Sequence, residues 1–505
     1  MSQSQTDIVP GSHAAPAQLG DVLVLGLGKS GRATAEYCLD RLGGRVRSVT
    51  VAAGAANDGA RAQAQALAAR GARVAFDTFS FTGRYDLCVA SPGISQFEDF
   101  YRNAQAASGE IVSEVEFAWR ESAVADRWVG ITGTNGKTTT TALTAHLLRE
   151  AGIEALPVGN IGDTCIDAVA ANPADGQAAP KPRVLVAEVS SYQLASTRLF
   201  APQVAVLLNI TPDHLAWHKS FEAYAAAKRR IFANLAGMPG GLAILDATDD
   251  EARASVRAMK AAGAQRGYAY LPLGAKAGLE ADMHEVCGSD NAAFVGADGM
   301  LRIRRGDQVD DVVAADELQI KGRHNLANAL AACGAALAMG APLDAVRAGL
   351  RSFAPLAHRI EPCGQIAGVA CYNDSKATNV DATLKALAAF GDRKPIALLG
   401  GFDKGTDLAP LVAAAARHCT AVVCFGAAGP RFEQAFAGSG LRVVPAAGLE
   451  SALDAALSLA HPGDIVLLSP ACASFDEFNG FEARGDAFKR LVAARRAAQG
   501  DADGE

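Results

Sequence analysis

From Asp21 the chain reads "DVLVLGLGKSGRATAEYCLDRLGGRVRSVTV". An apolar run, a glycine turn, a helix-period stretch and a second apolar run predict a strand–helix–strand unit. Further apolar strands are expected at "YDLCVASPGI" and "GEIVSEVEF". A second block opens near Asp126 with the strand "WVGITG", a glycine loop and an amphipathic helix. Its later strands fall at "PRVLVAEVSS", "QVAVLLNITP" and "GGLAILD". Residues 276–325 carry Gly and Asp at turn spacing and predict antiparallel hairpins. The uncharged run Asn325 to Leu343 is rich in Ala and Gly and ends near Pro342, which suits a close-packed internal helix better than a membrane span. A third block follows "LRSFAPLAHRIEPCG", with strands at "VACYNDS", "KPIALLGG", "TAVVCFG", "LRVVPA" and "DIVLLSP" separated by helical stretches.

This alternation predicts an α/β fold in three domains. The first is Rossmann-like, the second a P-loop ATPase-type α/β domain with a mixed sheet, and the third Rossmann-like again. The expected boundaries are a disordered tail over 1–19, a first domain over 20–122, a central domain over 123–355 and a C-terminal domain over 356–505.

Composition narrows the class. At 505 residues the chain is too long for one ordinary core. A formal charge of −7 and no basic stripe argue against a nucleic-acid surface. Ten cysteines are scattered without a CxxC pair or a Cys/His metal spacing. The N-terminus "MSQSQTDIVPGSHAAPAQLG" has no apolar segment of a secretory leader, so the thiols are expected reduced and the protein cytoplasmic, with no membrane-spanning part.

The strongest chemical signal is the loop Gly133-Thr134-Asn135-Gly136-Lys137-Thr138, set between a strand and a helix. Its two glycines let backbone N–H groups turn onto phosphate oxygens, and the helix adds its positive end. Lys137 can reach the outer phosphates of ATP and Thr138 can ligate Mg²⁺. The alternative is a tight turn with a solvated lysine. Gly26, Gly28 and Gly31 have the spacing of a dinucleotide turn, but no acid follows until Asp58, so NAD is disfavoured against another phosphorylated ligand. Glu188 and the pair Asp213-His214 follow apolar strands, where side chains reach a sheet's ligand edge; Glu188 is a hard oxygen ligand for Mg²⁺. A lone His such as His214 is more often structural. Lys228 in "YAAAKRRIF" reads as a solvated basic face. In the third block "CYNDSKATNVDAT", "GGFDKGTDL" and "SPACASFDEFNGFEARG" mix small polar residues past apolar strands. Lys404, Thr378 and Ser474 there could hold two carboxylates, or simply cap helices.

Together these stretches resemble the Mur ligases over almost the whole chain, from "VLVLGLG" to "RGDAFKRL". "GTNGKTT" is similar in folylpolyglutamate synthetases, whereas "ASPGI", "GNIG", "HNLANALAA", "HRIE", "NDSKATN" and "SPACASFDEF" are narrower signatures. The resemblance implies ATP-driven joining of D-glutamate to UDP-N-acetylmuramoyl-L-alanine through an acyl phosphate, in peptidoglycan precursor synthesis. Its substrates are small molecules, no nucleic acid is involved, and a monomer is expected. L-glutamate or another amino acid is the alternative within the class; an NAD oxidoreductase and a non-catalytic ATP switch are the alternatives outside it.

Carried over by position, the resemblance makes Lys137, Glu188, His214 and Lys228 the catalytic set. Gly133 to Thr139, with Asn325, Asn328, Arg359 and Asp374, would hold ATP. Lys29, Ser30, Gly93, Asn160 and His214 would hold the UDP precursor, and Thr378, Lys404, Ser474 and Phe481 the glutamate. Thr138, Glu188, His214 and Lys228 would face Mg²⁺, with Lys228 carbamylated to an anionic oxygen ligand. Two departures stand out: "VTVAAG" where many relatives have Asp-Thr-Arg, and Ala216-Trp217 where they have an Asp-Arg pair.

Overall fold

The computed structural model describes residues 8–502, apart from 79, 82, 177–178, 278–286 and 404. It contains three sheets in two compact units. One unit comprises Met1–Glu317 and Ala327–Arg351, the other Leu318–Leu326 and Ser352–Glu505.

The first sheet holds β1 (Gly20–Leu25), β2 (Val46–Ala53), β3 (Arg73–Phe76), β4 (Tyr85–Ala90) and β5 (Ser108–Ser113). All pairs are parallel, in the order β3-β2-β1-β4-β5. The order reverses between β1 and β4, and such a switch point opens a crevice at the strands' C-terminal edge. Helix Lys29–Leu39 starts at that edge directly after β1. A side chain on Gly31 would meet the Gly26 carbonyl at 2.0 Å, so the turn needs glycine there.

The second sheet comprises β6 (Asp126–Thr132), β7 (Ala155–Gly159), β8 (Arg183–Glu188), β9 (Val204–Leu207), β10 (Leu242–Asp246), β11 (Ala269–Gly274), β12 (Asn291–Val295), β13 (Met300–Arg305) and β14 (Gln308–Ala314). Its order is β14-β13-β12-β11-β10-β9-β6-β8-β7. The strands from β7 to β12 pair in parallel, and β12-β13-β14 form the expected antiparallel meander. Residues 278–286 of the expected hairpin stretch lie outside the described residues. Central strands such as β8 are buried along their whole length, which explains their unbroken apolar runs. Helix Arg323–Ala338 covers the run that begins at Asn325, and from Asn328 to Ala336 it is buried.

One apolar core runs through the first two sheets, from Leu19 and Val24 through Phe117 and Trp119 to Phe200 and Phe294. Charges reinforce it. Arg45 donates to Glu121 at 2.7 Å and Asp175 at 2.9 Å, Arg41 to Asp175 at 2.7 Å, and Tyr37 to Glu121 at 2.8 Å.

The third sheet has β15 (Glu361–Ile366), β16 (Val369–Asn373), β17 (Ile396–Gly400), β18 (Ala421–Phe425), β19 (Arg442–Ala446) and β20 (Ile465–Ala471), in the order β15-β16-β20-β17-β18-β19. All neighbours are parallel except β15 against β16.

One expected strand is corrected. "GEIVSEVEF" is not extended throughout: β5 ends at Ser113, whose hydroxyl accepts from Glu116 N and opens the helix Glu114–Glu121. A serine at that position satisfies an orphan helix N–H, so the chain turns helical although the apolar pattern continues. Among the described residues no helix is long and apolar enough to cross a membrane.

Candidate active site

The loop after β6 is held from β9's side. Thr134 N donates to the Asn209 carbonyl at 2.8 Å, Asn135 N to Asn209 Oδ1 at 2.9 Å, and Asn209 Nδ2 returns to the Asn135 carbonyl at 3.0 Å. Thr134 Oγ1 lies 2.8 Å from the Tyr224 hydroxyl and accepts from Thr211 N at 2.9 Å. Gly136 has φ +88°, and a Cβ there would come within 2.4 Å of Asn328 Oδ1. The loop therefore enters helix Lys137–Glu150 in a conformation only glycine takes without strain. Asn328 thus stands beside the nucleotide loop. Lys137 Nζ folds back onto the Gly133 and Thr134 carbonyls at 3.0 and 2.9 Å, and Thr138 and Thr139 follow in the helix's first turn.

Glu188, the last residue of β8, is 2% exposed. Its Oε1 accepts from Asn160 Nδ2 at 2.8 Å, while Oε2 is buried with no hydrogen-bond partner among the described residues. Lys228, on helix Phe221–Arg229, is also 2% exposed, and its Nζ donates to the Gly133 carbonyl at 2.7 Å. Burial, then the nearby Lys137 charge, pushes its ammonium well below the ordinary lysine range, against the pull of Asp213 and Glu188. The solvated basic face is overturned: Lys228 turns inward.

His214 has φ +55° and starts the one-turn helix Leu215–His218; its backbone N donates to Asp213 Oδ1 at 2.8 Å. Its ring lies 4.8 Å from Tyr192, which also packs on Trp217 at 4.7 Å and His218 at 5.7 Å. His218 is fully buried, its Nε2 2.9 Å from Ser191 Oγ. Burial, helped by His214 and Lys228, lowers it to about 4, so it is a neutral imidazole.

A buried carboxylate oxygen with no donor among the described residues, beside a nucleotide-type loop, fits a hard cation. Thr138 and Glu188 offer oxygen and His214 a ring nitrogen, whereas Lys228 would offer oxygen only as a carbamate. Among the described residues no group of three or more His, Cys, Asp or Glu side chains forms a metal cage. A bound Mg²⁺ would draw its remaining ligands from phosphate oxygens and water.

At the first sheet's switch point, Lys29 Nζ donates to the Gly162 carbonyl of the "GNIG" loop, with Ser30 beside it. The "ASPGI" loop carrying Gly93 follows β4, and its Ser91 stands against Gly26. Ser95 Oγ donates to the Trp217 carbonyl at 2.9 Å, tying this loop to the His214 segment.

The C-terminal unit has its own polar cluster. Asp374 accepts from Ser469 Oγ at 2.8 Å and from Ile360 N at 3.2 Å, and burial raises its carboxyl to about 7, opposed by Ser469 and Arg359. Arg484 is 1% exposed and donates to Ser375 Oγ, to the Ser375 carbonyl, and to the Cys472 and Ala473 carbonyls, all within 3.1 Å. It thereby joins the "NDSKATN" loop, which carries Thr378, to the "SPACASFDEF" loop, which carries Ser474. Phe481 lies under Lys376 Nζ at 3.6 Å. Asn325 Nδ2 donates to the Lys321 carbonyl at 2.8 Å in the same unit. Lys404 lies outside the described residues.

Asn209, Tyr224, His218 and Arg484 escaped the sequence reading. Asn209 falls in "QVAVLLNITP" and His218 lies four residues after His214, but nothing in their spacing marks a role.

A nucleotide-type loop, a buried carboxylate and a buried lysine on a three-sheet α/β frame define an ATP-dependent ligase class, and the comparisons agree. The family of Mur ligase middle domains matches residues 131–336, and that of the Mur ligase glutamate ligase domain matches residues 358–472. The chain belongs to the Mur ligase family. The UDP-N-acetylmuramoylalanine–D-glutamate ligase of Salinibacter ruber is 39% identical over 93% of this chain and 96% of its own. That of Rubrobacter xylanophilus is 37% identical over 95% and 99%. Solved structures share the fold: MurF from Acinetobacter baumannii (TM-score 0.58, 15% identity, 93% of both chains) and a pseudomurein peptide ligase type C from Methanothermus fervidus (0.53, 17%, 94% and 99%).

Proposed function

We propose that this ligase joins D-glutamate to UDP-N-acetylmuramoyl-L-alanine with cleavage of ATP, in peptidoglycan precursor synthesis. The nearly full-length similarity to relatives bearing that activity in their names carries the reading. A carboxylate is a poor electrophile at neutral pH, and phosphorylation gives it a leaving group. The alanyl carboxylate oxygen takes the γ-phosphoryl group, the glutamate amine attacks the acyl carbon, and phosphate departs with that oxygen. Phosphoryl transfer needs charge neutralisation and alignment more than a protein nucleophile.

In this reading Gly133 to Thr139 with Asn328, and Asn325, Arg359 and Asp374 of the C-terminal unit, hold ATP. Lys137 leaves its loop carbonyls for the outer phosphates. Lys29, Ser30, Gly93, Asn160 and His214 hold the UDP precursor; Thr378, Lys404, Ser474 and Phe481 hold glutamate. Mg²⁺ held by Thr138, Glu188, His214 and Lys228 would neutralise phosphate charge. The low proton affinity of Lys228 supports a carbamate there, since carbon dioxide adds only to a neutral amine. Domains over 20–122, 123–355 and 356–505, a monomeric state and a cytoplasmic location complete the proposal.

The test is phosphate release with UDP-N-acetylmuramoyl-L-alanine against a panel of D- and L-amino acids. Release only with D-glutamate is expected, and labelled oxygen from the alanyl carboxylate should appear in the phosphate. Release without precursor, or equal rates across the panel, would end the reading.

A further inference from the structure

Behind the helix that carries Lys228 lies a cavity of about 590 Å³, a size typical of small-molecule sites. None of the candidate site residues lines it. Its lining comes from Arg229 at the end of the Lys228 helix and Phe232 just after it, from helix Asp250–Ala262 through Ser255, Ala258 and Met259, and from Arg266.

Two features give the cavity a chemistry. Phe232 and Met259 are buried and offer an apolar bed. The two guanidinium groups differ. Arg229 is held by Glu251, whereas Arg266 donates to the Gly263 and Tyr268 carbonyls at 2.6 and 2.7 Å and lies over the Tyr270 ring at 4.7 Å. Arg266 has no carboxylate partner among the described residues. A guanidinium whose partners are neutral carbonyls keeps a net positive charge that an anion can pair with.

We infer that this cavity is a second small-molecule site, taking an amphipathic carboxylate or sulfonate whose apolar body lies over Phe232 and Met259 and whose anionic group reaches Arg266. The inference does not depend on the ligase reading.

Full-length protein titrated with 8-anilinonaphthalene-1-sulfonate should bind one equivalent. Decanoate should displace it at least tenfold more effectively than decanol. Ala258 is exposed, so Ala258→Trp fills the cavity without burdening the fold; it should weaken probe binding at least tenfold with an unchanged thermal melt. Arg266→Gln should erase the preference for decanoate over decanol. A parent protein that does not distinguish the two displacers, or an Ala258→Trp variant that binds the probe as tightly as the parent, overturns the site.

Discussion

Lys228 Nζ donates to the Gly133 carbonyl at 2.7 Å, joining residues 95 apart in sequence. The lysine is thereby held against the nucleotide loop with Lys137, Asp213 and Glu188 as its charged neighbours.

Lys228→Ala removes this tether and any oxygen ligand formed on it. Phosphate release should fall at least 100-fold, with partial recovery on adding acetate or propionate. Full activity in the variant would exclude a direct role for the side chain.

Gly136→Ala places a Cβ against Asn328 Oδ1 in a left-handed backbone conformation. Strain of this sort costs on the order of 1–3 kcal/mol. Weaker ATP binding by at least tenfold in calorimetry and a lower melting temperature should follow. Wild-type ATP affinity would mean that the loop relaxes freely.

Glu114 offers a pH test. It is 1% exposed, its Oε1 accepts from Ile166 N at 2.7 Å, and burial raises its carboxyl from 4.5 to about 7, opposed by the Ile166 hydrogen bond. The folded state holds the proton more tightly than the unfolded chain does. The neutral form's advantage is complete below pH 4.5 and is lost as pH rises through about 7. Glu114→Gln keeps an acceptor for Ile166 and never ionises. Its unfolding free energy should match the parent's at pH 4.5 and exceed it at pH 8, by on the order of 3 kcal/mol at most, with the melting temperature moving in the same direction. A difference independent of pH would contradict the assignment.

Arg484→Lys replaces a fork that reaches two loops with a single ammonium group. The KM for glutamate should rise at least tenfold while the KM for ATP stays within twofold. Equal effects on both would point to a general loss of folding.

Much of the frame is legible in the sequence because buried parallel strands are continuous apolar runs, as in β6, β8 and β20. The segment after Ser113 misleads because Glu116 is polar by type yet buried, accepting from Arg120 and from Leu199 N. β15 went unseen: its "EPCGQI" carries Pro and Gly around an irregular register between Pro362 and Gly364. At the site, the loop, Lys137 and Glu188 announce themselves through local spacing. His218 and Arg484 take their meaning from Ser191, 27 residues away, and Ser375, 109 residues away, distances that no local pattern encodes.

The apolar core shared by the first two sheets, with Arg45 gripping Glu121 and Asp175, bears on how the molecule may be dissected. Cutting the chain near residue 122 would leave Phe117 and Trp119 facing water on one fragment and Trp128 and Phe200 on the other. Excised pieces of that kind clump, so truncated forms should retain both sheets together.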